Sequence, residues 1–67
     1  MELTVNGDLI NVPKETKTVA DLLEHLKLDG KVVIVELNGE ILHRDSRDGV
    51  GLNPKDKIEL VHFVGGG

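Results

Sequence analysis

The group in this chain with the most distinctive chemistry is the α-carboxylate of Gly67, at the end of the run Val64-Gly65-Gly66-Gly67. A free carboxylate is a poor electrophile, because the group that would leave is oxide or hydroxide. Converted to an acyl-adenylate by another protein, it becomes reactive. The residues before it suit presentation to an enzyme. Four extended residues reach at most roughly 13–14 Å, and glycines lack the Cβ atoms that would keep a narrow channel from closing around the backbone. The tail therefore reads as a substrate, with the rest of the chain as its handle. The plain alternative is a frayed end or a linker remnant, since Gly-rich ends are often disordered.

Few other residues could do chemistry. There is no cysteine, so no thiolate metal site, disulfide or nucleophilic thiol is possible. His25, His43 and His62 lack the spacing that would bring a metal-ligand set together, and no metal site is expected. Ser46 is the only serine, and no Ser/His/Asp arrangement is evident. No Gly-rich loop has the GxxxxGK[ST] form, so any ATP must be bound by another protein. Arg44 and Arg47 could meet acidic groups of a partner but read more simply as part of a solvated loop. No catalytic residue is expected, and the chain reads as a protein cosubstrate.

Size and composition favour the same class. Sixty-seven residues make one small domain, which buries only about 60% of its unfolded surface. That leaves little room for an active site beside a core. The net charge of −4 and the single aromatic residue, Phe63, argue against nucleic acid. The absence of cysteine, of signal-peptide regions and of any apolar run long enough for a membrane span points to the cytoplasm.

The elements that must hold the tail follow from pattern. Asn6-Gly7 predicts a hairpin over residues 1–13, with Val5 facing Asp8 and Leu3 facing Ile10. This puts Met1, Leu3, Val5, Ile10 and Val12 on one side and Glu2, Thr4, Leu9 and Asn11 on the other. Thr18 and Asp21 resemble a capping box. Val19, Leu22, Leu23 and Leu26 follow at helical spacing, predicting a helix from Val19 to Lys27 that Asp29-Gly30 stops. Lys31 to Leu37 is a strand apolar on both faces, of the kind usually central and buried. Asn38-Gly39 turns into a short strand, Glu40 to Leu42. His43 to Asp56 reads as a loop with one short helical turn, under which Val50 and Leu52 tuck. Lys57 to Phe63 is the last strand.

Strand-strand-helix-strand-strand-strand, with one helix, can cover one face of a mixed sheet of four to five strands. The first and last strands should lie parallel in its middle. This is an α+β architecture matching the β-grasp, or ubiquitin-like, fold, with residues 1–63 as the domain and 64–67 as a flexible tail. Glu36 and Glu59 would be costly to bury unpaired. They assign Val32, Ile34, Val61 and Phe63 to the open face, and Val33, Val35, Leu37, Ile58 and Leu60 to the helix side. The open-face cluster, with Val64 at the tail's root, is a candidate partner surface.

Several stretches carry a family resemblance: Leu3-Thr4-Val5-Asn6-Gly7, Thr18-Val19-Ala20-Asp21-Leu22-Leu23, Val35-Glu36-Leu37-Asn38-Gly39-Glu40-Ile41, and Asp56 through Gly67. Together they resemble the sulfur carriers of thiamine biosynthesis, the ThiS family. One departure is Pro54-Lys55-Asp56, where many relatives have Asp-Gly-Asp. The Gly-Gly end is shared with the molybdopterin-synthase small subunit and with ubiquitin-like modifiers, which remain alternatives. The resemblance implies that an adenylyltransferase related to ubiquitin-activating enzymes uses ATP and magnesium to adenylate Gly67. A persulfide donor then leaves a thiocarboxylate there, and thiazole synthase takes the sulfur. It further implies that Gly65 and Gly66 thread the partners' channels, and that the chain binds no cofactor of its own and is a monomer when free.

Overall fold

The computed structural model describes residues 1–62. The expected tail, Val64 to Gly67, the open-face residue Phe63 and the domain boundary between residues 63 and 64 lie outside the described residues.

The first strand, β1 (Glu2–Val5), pairs antiparallel with β2 (Asp8–Asn11) in the expected register, Leu3 opposite Ile10 and Val5 opposite Asp8. Asn6 and Gly7 have φ of 50° and 85°, the positive pair that matches the twist of a tight hairpin. The ladder continues one step past the named strands, Val12 N–H donating to Met1 C=O at 2.8 Å.

Helix α1 (Val19–His25) opens on the expected capping box. Thr18 Oγ1 accepts from Asp21 N–H, and Asp21 Oδ2 accepts from Thr18 N–H and from Lys17 N–H. The helix ends two residues earlier than the spacing predicts. Lys27 takes φ of 61°, Lys27 N–H donates to Glu24 C=O, and Leu28 N–H donates to Leu23 C=O at 2.7 Å. This is a Schellman stop with lysine where glycine is usual. It lets Leu28 pack on the core, so the helix closes before it reaches Asp29-Gly30.

The second half of the sheet is β3 (Val33–Leu37), β4 (Glu40–Ile41) and β5 (Lys57–His62), with a 3₁₀ turn over Arg47–Gly49 between β4 and β5. The five strands stand in the order β2-β1-β5-β3-β4, with β1 and β5 parallel. Strand β3 is interior, but only one of its apolar faces is covered. Val33 and Val35 are buried, whereas Ile34 is 42% exposed. One helix cannot shield both sides of five strands.

The core lies between α1 and the covered face: Val19, Leu22 and Leu23 from the helix, against Leu3, Val5, Val33, Val35, Ile58 and Leu60. Complete burial of such aliphatic side chains contributes about 1.5–3 kcal/mol each. The segment after the 3₁₀ turn closes one end. Val19 N–H donates to Val50 C=O and Leu52 N–H to Lys17 C=O, with Leu52 buried and Val50 packed against the core. At Pro54-Lys55-Asp56, Asp56 N–H closes a turn on Asn53 C=O at 3.2 Å, with Lys55 at φ of 71°. Glycine favours that conformation, so Lys55 makes the turn at some cost in backbone strain.

Candidate functional site

Strand β5 would carry any group that follows it in sequence, and both Asn-Gly turns hold it. Parallel pairing of β1 with β5 covers only Thr4 with Lys57 and Val5 with Ile58. Beyond Val5 the chain turns away toward β2. There Asn6 N–H donates to Ile58 C=O, and Asn6 Oδ1 accepts from Leu60 N–H at 2.7 Å. On the other flank Asn38 Oδ1 accepts from Lys57 N–H at 2.9 Å, while Asn38 Nδ2 donates to Asp56 Oδ1. Each asparagine thus sets a turn conformation and also extends β5's ladder through its side chain. The sequence reading recognised the first role and missed the second.

On the open face, antiparallel pairing of β3 with β5 sets Ile34 opposite Val61 and Glu36 opposite Glu59. Val61 is 51% exposed. Two residues of the expected open-face cluster, Ile34 and Val61, are thus cross-strand neighbours and accessible. Val32 is exposed but precedes β3, and it lines a separate cleft with Leu28, Arg44 and Arg47. It sits at the rim of the face rather than beside Val61. Phe63 and Val64, assigned to the same surface, lie outside the described residues, as do Gly65, Gly66 and Gly67.

Ile41, opposite Glu36 on β4, and Leu9, opposite Thr4 on β2, add two more exposed aliphatic side chains to this face. The alternation of the first hairpin already places Leu9 there. Ile41 was missed because β4 is only two residues long and shows no period of its own.

Arg47 is not part of a solvated loop. It is 9% exposed, and its Nη1 donates to the main-chain carbonyl of Val33. Strand β4 reaches only far enough to pair with Glu36 and Leu37. The outer edge of β3 at Val33 is thus capped by a side chain instead of a strand. Arg47 Nε has no hydrogen-bond partner, and Asp48 Oδ1 stands 3.9 Å from it. Among the described residues no group of three or more His, Cys, Asp or Glu could hold a metal ion, and no helix is long and apolar enough to cross a membrane.

The chain's relatives share this architecture. The model of the ThiS family matches residues 1–67. The sulfur carrier protein ThiS of Bacillus subtilis is 46% identical over 65 residues, covering 97% of this chain and 98% of that protein. A thiazole synthase of Paramagnetospirillum magneticum is 42% identical over 67 residues, all of this chain but only 20% of that protein. The crystal structure of the thiamine biosynthesis protein ThiS from Geobacter metallireducens superposes with a TM-score of 0.81 at 40% identity, over the whole of both chains. The five-stranded mixed sheet with one helix is accordingly the β-grasp fold, and the chain belongs to the ThiS family.

Proposed function

We propose that this protein is a sulfur carrier of thiamine biosynthesis and that the Gly67 carboxylate is its working group. The observation that carries the reading is the 46% identity to a sulfur carrier protein over nearly the full length of both chains. The accessible Ile34–Val61 pair at the end of β5 supports it, because a substrate domain needs a surface for the enzymes that act on it.

The chemistry runs in three steps. An adenylyltransferase, using ATP and magnesium bound in its own site, joins the Gly67 carboxylate to AMP and releases pyrophosphate. The terminal sulfur of a persulfide then attacks the acyl carbon and displaces AMP. Cleavage of the resulting S–S bond by a thiol leaves a thiocarboxylate on Gly67 and a disulfide on the donor side. Thiazole synthase accepts that sulfur, and the thiazole synthases that contain a segment similar to this whole chain favour it as the acceptor. No catalytic side chain is needed in the carrier. Residues 64–67 act as the tail, Gly65 and Gly66 give it a narrow profile, and Val32, Ile34, Val61, Phe63 and Val64 form the docking surface. The carrier works as a cytoplasmic monomer.

Incubation with the adenylyltransferase, ATP and a persulfide donor should shift the intact mass by the difference between sulfur and oxygen. A chain lacking Gly67 should show no shift and should fail to support growth without thiamine. Growth of the deletion strain, or recovery of only lysine-linked conjugates, would overturn the reading.

A further inference from the structure

The open face carries a feature that packing alone does not explain. Glu36 and Glu59 are direct cross-strand partners and are both half-buried. Like charges directly opposite one another destabilise a sheet. Among the described residues neither carboxylate has a cation within ion-pair distance, the one ion pair being Arg47 with Asp48. Lys57 lines the same depression without reaching either carboxylate. That depression has a volume of about 440 Å³ and is lined by Glu36, Asn38, Gly39, Lys57 and Glu59. Ile34 and Val61 flank the acid pair along the strands, and Ile41 flanks it on β4.

We infer that this acidic notch is a socket for an arginine of thiazole synthase, seated between apolar side chains of that same enzyme. The inference rests on the carrier reading above and specifies its docking surface. A guanidinium is planar and offers parallel N–H donors, so it can bridge two carboxylates at once. Aliphatic groups around it exclude water, the setting in which a buried charged contact dominates an interface. The occupant is not a second copy of this chain: the same face meeting itself would set carboxylates against carboxylates. The overall charge of −4 also favours encounter with a basic surface.

The test uses the full chain and the thiazole synthase of the same organism, with binding measured by calorimetry across a salt series. Glu36→Gln with Glu59→Gln should weaken binding about 30-fold or more and flatten its salt dependence. The same variant should melt roughly 2–5 °C higher, because the repulsion is gone. A merely structural role for the glutamates would move stability the other way. Glu36→Lys with Glu59→Lys should lose binding and regain it against an Arg→Glu variant of the partner. Unchanged affinity and salt slope in the Gln variant, with the wild type binding normally, would overturn the socket alone. Failure of the wild type to bind thiazole synthase would overturn both the socket and the partner assignment. A wild-type dimer that Val61→Asp dissociates would show the face to be taken by a second copy, and would also overturn the inference.

Discussion

Replacing Asn6 with glycine separates the two roles of that residue. Glycine keeps φ of 50° without strain but removes the carbonyl oxygen that accepts from Leu60 N–H. Leu60 is buried and that bond is partly shielded from water, so its N–H cannot be fully rehydrated. Loss of a bond that leaves one partner unsatisfied costs about 1–2 kcal/mol. For a domain of this size that lowers the melting temperature by roughly 4–16 °C. It is a large share of a total stability of about 3–10 kcal/mol. Asn38→Gly makes the matching change on the other flank, but the N–H of Lys57 is exposed and water replaces the lost acceptor. Its cost should stay below about 1 kcal/mol. Asn6→Asp keeps an acceptor in place and should retain most of the stability. Urea denaturation gives the three free energies, and amide hydrogen exchange at Leu60 gives the local effect. An Asn6→Gly protein as stable as wild type, or less affected than Asn38→Gly, would refute the account of β5 as a strand held by side chains.

Three further changes test the fold. Arg47→Ala leaves the buried Val33 carbonyl without its donor and leaves space where the guanidinium lay; it should cost about 2–3 kcal/mol, and an unfolding free energy from urea denaturation within about 0.5 kcal/mol of wild type, on the usual ~1 kcal/mol hydrogen-bond scale, would contradict the capping role. Lys27→Gly and Lys55→Gly relieve positive-φ positions at 61° and 71°, so each should stabilise by about 0.5–1 kcal/mol, seen as a raised melting temperature. The carboxyl of Asp21 is held below its ordinary value, chiefly by the backbone N–H of Lys17 and then by that of Thr18. Its contribution is therefore present above the unfolded carboxyl's titration and is lost as pH falls through the lower folded value. Asp21→Asn should flatten the acid limb of the stability profile in that window, and an unchanged acid limb would count against the capping box.

The hairpin register, the capping box, the parallel β1–β5 pair and the split of β3 and β5 between two faces were all legible in the sequence. Three of these follow from local rules: positive φ at Asn-Gly, a hydroxyl three residues before a carboxylate, and the period of two that forces Glu36 and Glu59 to one side; the parallel pair follows instead from the need to close one core under a single helix. The early helix stop was not legible. Lys27 takes the left-handed conformation at the point where Leu28 packs on the core, and that packing is a tertiary contact. The candidate site was read in part for the same reason. Ile34 and Val61 followed from alternation, whereas Ile41 needed the pairing of β4.

The amino-acid order alone thus determined the β-grasp architecture, the apolar open face and the proposal of Gly67 as the reacting group. Tertiary structure alone decided that Glu36 stands opposite Glu59, that Arg47 closes the edge of β3, and that Asn6 and Asn38 grip the last strand from both flanks. Those contacts join residues 14 to 54 positions apart. No periodicity within a single segment can encode a partner that only folding brings within reach.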